Sequence, residues 1–357
     1  MNNYDWKISY MPPHDTIRDG LTLWRACEAA GLDVIGPADS QNLMREMYVC
    51  LTAIAMSTER AKIMSYATNP ITRHPTVTAS AFASLQELAP GRMMMGIATG
   101  DSAIWSMGAK PAKLQYLRKY IEAVKALCAG ESITWEGQSF RPRWHSEAFD
   151  LPTYVMCSGP KTLKMAAEIA DGAVVHMGFA PEDLAGIREL IDEGRRNANK
   201  DPKTFDIWWN APIVFDNSYE EAANRNIGWF PRWLTMGSLE GKGIPNELKD
   251  KVRELNHDQH SLENVYRGKD REEIIVERAK SLGIYDWLMH RSARLLGPPD
   301  VVSNRLNELA DSEGLVQWIF FLYSAKTAPV SGAVDERLRL IELLSNEVRP
   351  QLRRRLG

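Results

Sequence analysis

The 357-residue sequence has little of what would mark a secreted, membrane-embedded or nucleic-acid-binding protein. It holds four cysteines, Cys27, Cys50, Cys128 and Cys157, far apart and without a C-x-x-C pair, which argues against a disulfide framework or a zinc knuckle. They read as small buried hydrophobes. A net charge of −3 provides no basic field for a phosphate backbone, so nucleic acid is excluded as a partner. No apolar run reaches the roughly 18 residues of a spanning helix, and Met-Asn-Asn-Tyr-Asp lacks the basic and apolar regions of a signal peptide. A cytoplasmic protein away from membranes is expected. The His and carboxylate positions lack ligand spacing, so no metal site is expected. Gly96 and Gly100 stand four apart with no third glycine to complete a G-x-G-x-x-G fingerprint, which weakens a dinucleotide-binding reading. Internal repeats and low-complexity tracts are absent too.

What is present is a rhythm. Short apolar runs alternate with amphipathic stretches, the pattern of a parallel sheet covered by helices. Strands are predicted at 6–11, 33–37, 62–66, 92–98, 152–156, 172–176, 205–214 and 316–323. Helices are predicted at 16–30, 45–57, 75–88, 111–129, 161–170, 181–199, 218–227, 298–311 and 334–349. Two insertions interrupt the alternation. Trp135-Glu136-Gly137-Gln138 joins two β-prone runs as a rim hairpin over about 132–146. From Trp229 to Arg291 the strand signal gives way to charged helical text, 249–260 and 270–282, which suggests a lid. Eight strands without a break in composition imply one (β/α)₈ barrel domain over 1–357. The Arg353-Arg354-Arg355 run reads as a solvated helix end.

Chemistry in such a barrel sits just after each strand. Those segments are rich in small and polar residues: Asp39-Ser40-Gln41-Asn42 after strand two, Tyr66-Ala67-Thr68-Asn69-Pro70 after strand three and Thr99-Gly100-Asp101-Ser102 after strand four. Cys157-Ser158-Gly159-Pro160-Lys161 opens a helix whose exposed N–H groups and dipole suit an anion. On the residues alone, 66–70 is also an ordinary strand-to-helix turn, Gly100-Asp101 a turn and cap, and His176 a structural histidine. His14, in the Pro-Pro-His-Asp loop, is either a proton-transfer group titrating near neutrality or a solvated loop residue. Trp105, Trp135, Trp144, Trp208, Trp209, Trp229, Trp233 and Trp287 fall in rim and lid segments, as pocket walls or core.

T-N-P-x-T-R-H-P from Thr68, L-x-E-L-x-x-G-R from Leu85 and the G-x-x-x-G-D-S run ending at Ser102 together resemble the bacterial luciferase-like superfamily of flavin- and F420-dependent enzymes. The nearest subgroup is the one similar to methylenetetrahydromethanopterin reductase. The resemblance covers about 5–215 and 295–350, and leaves the lid unmatched. It implies a non-prolyl cis peptide at Tyr66–Ala67 against which the cofactor ring rests, with Thr68 and Asn69 beside it. It further implies cofactor contacts at Gly100 and Asp101, and a cofactor phosphate held by Cys157, Ser158 and Gly159 with His176 and Met177. Family enzymes using coenzyme F420 often place a histidine after the acidic residue at position 39. Here Ser40 follows, leaving Asp39, Gln41 and Asn42 as hydrogen-bonders near the reacting edge and His14 for proton transfer.

The resulting expectation is a monooxygenase acting on a small organic substrate with O₂ and reduced FMN, the FMN supplied by a separate flavin reductase. A second reading is a coenzyme F420-dependent reductase or dehydrogenase transferring hydride. A third, of another class, is a non-catalytic flavin-binding subunit. The resemblance also implies a homodimer or homotetramer.

Overall fold

Alternation along each strand sorts the side chains of this chain into two apolar layers. In the computed structural model, which describes residues 4–144, 148–257, 271–324 and 333–353, eight parallel strands form a sheet nearly closed into a barrel. They are β1 (Lys7–Tyr10), β2 (Val34–Ile35), β3 (Lys62–Met64), β4 (Met93–Ile97), then, after a rim hairpin of β5 (Ile133–Trp135) and β6 (Gln138–Phe140), β7 (Thr153–Cys157), β8 (Gly172–Val175) and β9 (Asp206–Phe215). β10 (Leu295–Leu296) and β11 (Gln317–Ser324) follow the lid. The hydrogen-bonded order is β1, β11, β9, β8, β7, β4, β3, β2, and β10 pairs with the upper part of β9.

Val34, Met64, Met94, Tyr154, Val174, Trp208 and Ile319 point into the barrel, where Met11 joins them, while Ile35, Ile63, Val155, Val175, Trp209 and Trp318 face the surrounding helices. Side chains stitch β1 to β2. Asp33 N–H donates to the Ile8 carbonyl at 2.9 Å, its Oδ2 accepts from Ile8 N–H at 2.7 Å, and Ser9 Oγ accepts from Val34 N–H at 3.0 Å. At the opposite end from the site, Asp206 accepts from Tyr154 Oη and Gln317 Nε2, both at 2.8 Å, plugging the barrel floor.

The covering helices lie where the periodicity placed them, with ends shifted by a few residues; Pro75–Leu88 coincides with its prediction. The rim hairpin turns through Glu136 (φ 48°) and Gly137 (φ 81°), the two left-handed residues of a type I′ turn. In the lid, helices span Lys249–His257 and Arg271–Ser281, with short helices Arg232–Thr235 and Tyr285–Arg291 that the sequence did not announce. The two-residue β10 was missed as well. Positions 145–146, 258–260, 270 and 354–355 of the predicted segments lie outside the described residues. No helix among the described residues is long and apolar enough to cross a membrane.

Candidate active site

The C-terminal ends of all eight barrel strands, together with the first part of the lid, enclose a cavity of about 660 Å³. Loops after β2, β3 and β4 build one wall. The Tyr66–Ala67 peptide is cis, at the predicted place. Ser65 Oγ donates to the Gly96 carbonyl and accepts from Gly96 N–H, at 2.9 and 3.0 Å. A Cβ at Gly96 would lie 2.1 Å from the Ser65 carbonyl oxygen, so glycine is what lets β3 and β4 approach here. Ser40 and Ser102 share a hydrogen bond of 2.8 Å, and Gln41 Nε2 and Asn42 Nδ2 donate to the carbonyls of Ala103 and Ser106, tying the β2 loop to the β4 loop.

Asp39 is buried in this wall with its charge already matched. Oδ2 accepts from Thr68 Oγ1 at 2.8 Å and Arg73 Nη1 at 2.6 Å, and Oδ1 from Arg73 Nη2 at 3.2 Å. Asn69 uses Oδ1 to accept from the N–H groups of Ile71 and Thr72, both at 3.0 Å, leaving its buried Nδ2 without a partner. His14 is buried, not solvated, with its ring edge-on to Trp24 at 4.8 Å between centroids. Nδ1 lies 3.4 Å from the Pro12 carbonyl and Nε2 3.7 Å from Cys50 Sγ. Burial pushes the His14 pKa below its usual value, offset in part by the Pro12 carbonyl, so the ring is neutral at pH 7.

The other wall is the anion end. Gly159 caps helix Pro160–Ile169 in extended conformation with no side chain on the first N–H groups. Ser158 also lines the cavity; the buried Cys157 thiol beside it donates to the Val155 carbonyl at 3.4 Å and is pushed up in pKa by burial. His176 N–H bonds the Cys157 carbonyl at 3.0 Å, while its buried Nε2 has no partner. Burial, then the positive charge of Arg232, lowers the His176 pKa to about 4. Arg232 reaches from the lid to Asp101, Nη2 to Oδ2 at 2.7 Å, and Asp101 Oδ1 is buried and unpartnered.

Two predicted site residues stand apart. Met177 is 5% exposed and packs in the outer apolar layer, because the strand that turns His176 inward turns its neighbour outward. Gln41 is exposed and spent on a backbone carbonyl, outside the cavity wall. The residues that sequence reasoning did not single out are Arg73, Asn210, Arg232 and Lys242. The buried Lys242 donates to the carbonyls of Trp233 at 2.7 Å and Met236 at 2.5 Å, closing the end of helix Arg232–Thr235, and burial lowers its pKa to about 8. Of the eight tryptophans expected in rim and lid segments, Trp105, Trp229 and Trp233 line the cavity; Trp208 fills the barrel and Trp135 packs on Tyr116 and Tyr120.

The wall therefore offers a donor at Asn69, an acceptor at Asp101, an imidazole nitrogen at His176 and a bare helix N-terminus, a set that fits a planar heterocyclic cofactor bearing a phosphate.

Comparison with known proteins agrees with that chemistry. The chain is 28% identical over 340 residues to the 5,10-methylenetetrahydromethanopterin reductase of Archaeoglobus fulgidus, covering 92% of this chain and 94% of the relative. It is 27% identical over 217 residues to the F420-dependent glucose-6-phosphate dehydrogenase of Microbacterium testaceum, covering 57% and 64%. The coenzyme F420-dependent tetrahydromethanopterin reductase of Methanopyrus kandleri shares the fold, with a TM-score of 0.70 at 21% identity over 97% of this chain and 99% of that one. A family profile described as luciferase-like monooxygenase matches residues 5–314, and with the barrel and its strand-end cavity this makes the chain an oxidoreductase belonging to the luciferase-like family.

Proposed function

We propose that this protein is a coenzyme F420-dependent reductase or dehydrogenase acting on a small organic molecule. The observation that carries the reading is the end-to-end match to a methylenetetrahydromethanopterin reductase, supported by the partial match to a relative named for F420-dependent dehydrogenation. Monooxygenation with reduced FMN, ranked first on the sequence and its family resemblance, yields to this second reading, which needs neither O₂ nor a separate flavin reductase.

The bound deazaflavin would supply a two-electron hydride donor or acceptor. The remaining work falls to the chain. Tyr66–Asn69 would form a rigid wall for the ring, with Asn69 Nδ2 donating to it. Ser158, Gly159 and His176 would hold the phosphate. Trp229, Phe230 and Trp233 would exclude water from the lid side. Neutral His14, which lines the cavity, would accept the substrate proton when an alcohol-level carbon is oxidised, and return it in reduction.

Spectroscopic titration of the purified protein with F420, FMN and reduced FMN tests this. Tight binding of F420 with no affinity for reduced FMN is expected; tight binding of reduced FMN alone would return the monooxygenase reading to first place.

The proposal extends to a second copy of the chain. Helix Met47–Ser57 carries no charged side chain yet exposes Met56 (74%) and Val49 (52%), and the adjacent helix Pro75–Leu88 exposes Val77 (53%). Covering this apolar face would make a homodimer.

A further inference from the structure

The strand order divides the rim of the cavity in two. The cofactor contacts proposed above use the ends of β3, β4, β7 and β8, where Tyr66–Asn69, Asp101, Ser158–Gly159 and His176 sit. In the hydrogen-bonded order β1, β11 and β9 stand together as one run, and no cofactor contact is assigned to their ends.

Parity decides what those ends present. On β9 the positions in line with Trp208, which fills the barrel, are Asn210 and Pro212; on β11 those in line with Ile319 are Phe321 and Tyr323. Phe321 is in register with Pro212, and all four line the cavity. Asn210 Nδ2 donates to the Ile319 carbonyl at 2.9 Å. The loop after β1 adds residues 11–14, among which only His14 titrates, and it is neutral at pH 7.

The lid roofs this half with an anchored ring. Trp229 stacks on Tyr323 at 6.4 Å between centroids and 27° between planes, and its Nε1 donates to Glu272 Oε1 at 2.7 Å. Helix Arg271–Ser281, which carries Glu272, lies so close to helix Tyr219–Trp229 that a Cβ at Gly228 would be 3.0 Å from Glu272 Cγ. Phe321 meets the Tyr66 ring edge-on at 6.2 Å, so the aromatic lining continues to the wall proposed for the cofactor ring.

The charges of the cavity lie elsewhere. Arg73 is paired with Asp39, Arg232 with Asp101 on the β4 loop, and Lys242 donates to lid carbonyls. Lys161 and Glu240 adjoin a contact at the β7 end, where a Cβ at Gly241 would lie 2.7 Å from Pro160 Cγ. Among the described residues, none lining the cavity from the ends of β1, β11 and β9 is charged at pH 7. An anion placed there would lose its hydration and gain no partner.

We infer that this half of the cavity is the substrate subsite, and that it takes an uncharged, largely apolar alcohol or carbonyl compound packed against Trp229, Tyr323 and Phe321, to the exclusion of compounds bearing phosphate or carboxylate. The inference rests on the F420 reading and adds to it the chemical class of the substrate.

Calorimetric titrations of the full chain saturated with F420 test it, comparing acetophenone with its anionic analogue 4-acetylbenzoate and with glucose 6-phosphate. Acetophenone should bind at least about 10-fold more tightly than either anion, because a charge without a partner is costly to bury. Trp229→Ala should weaken acetophenone binding about 10-fold while F420 affinity stays within about two-fold, and Trp229→Phe, which keeps a ring, should recover part of the loss. Thermal melts show whether each variant keeps the fold, and the wild-type comparison decides alone if Trp229→Ala does not. Equal or tighter binding of either anion, no measurable binding of acetophenone, or an acetophenone affinity unchanged in a folded Trp229→Ala would overturn the inference, as would a loss shared equally by F420. Each of these leaves the F420 reading standing. If wild type does not bind F420, that reading fails and the inference falls with it.

Discussion

Arg73 Nη1 lies 2.6 Å from Asp39 Oδ2, and the same guanidinium reaches Glu46 Oε1 at 2.6 Å, so the carboxylate that the sequence offers for catalysis is the inner member of an ion-pair relay. Its side chain is 2% exposed, against 15% for Arg73. Removing the arginine would leave a buried carboxylate with only Thr68 as donor. Arg73→Ala should therefore destabilise the fold by about 3 kcal/mol, the low end for a broken buried pair because Arg73 keeps some contact with water. Urea denaturation measures it, and a loss below about 0.5 kcal/mol would show that Asp39 finds other partners.

His14 should carry the acid limb of the rate profile. It is neutral at pH 7 because burial disfavours its charged form. Acting as base in the oxidative direction, it loses activity as it protonates, at a pH below the ordinary value of 6.5. Replacing His14 by Gln should lower the turnover rate by about 10²- to 10⁴-fold and abolish that limb, with F420 affinity unchanged. Asp39→Asn should leave the limb in place. A limb that persists in His14→Gln would assign it elsewhere.

His176 makes a prediction about stability. Its pKa falls from 6.5 to about 4 on folding, so between those values the unfolded chain binds more protons. The contribution from neutral His176 is fully present above pH 6.5 and lost as pH falls toward 4. Melting temperatures recorded across that window should drop less steeply for His176→Gln than for wild type. Parallel curves would mean that the imidazole is solvated.

Two glycines should respond in opposite ways. Gly100 has φ +107°, and a Cβ there would lie 2.4 Å from Ile104 Cγ1, so Gly100→Ala should cost about 1–3 kcal/mol and disturb the β4 loop. Gly159 has φ −163° and only an ordinary contact to Lys242. Gly159→Asp should keep the melting temperature while cutting F420 affinity at least about 10-fold, because a carboxylate at the helix start takes the place meant for phosphate. Unchanged affinity would relocate the phosphate.

If a second copy covers the helix Met47–Ser57, Met56→Glu should shift the protein from dimer to monomer in sedimentation or light scattering, with little change in melting at high dilution. A wild-type chain that sediments as a monomer at micromolar concentration would remove the homodimer from the proposal.

The barrel was legible because two periods, 2 and 3.6, run through the chain and glycines and prolines punctuate them. Parity explains the errors within the site. A strand end read as a string, His176-Met177, makes both residues candidates, whereas the pleat sends one into the cavity and the other into the outer core. Gln41 looked like a ring contact because loop polarity does not say whether an amide bonds a ligand or a carbonyl. Arg232 was invisible for a different reason: its helix spans only Arg232–Thr235, too short for a period, and its partner Asp101 is set beside it by the fold alone. Leu295–Leu296 is shorter than any alternation that could reveal it.

That short pairing bears on how the chain could be rebuilt. Leu296 is in register with Val214, and Gly297 N–H bonds the Val214 carbonyl at 2.9 Å, so the polypeptide leaves β9 at Phe215 and comes back one strand's width away. Adjacent strands are about 4.8 Å apart. Everything between is thus a cassette with neighbouring ends, and exchanging it for another of different length need not alter the barrel's closure, which is made elsewhere, between Ser9 and Val34.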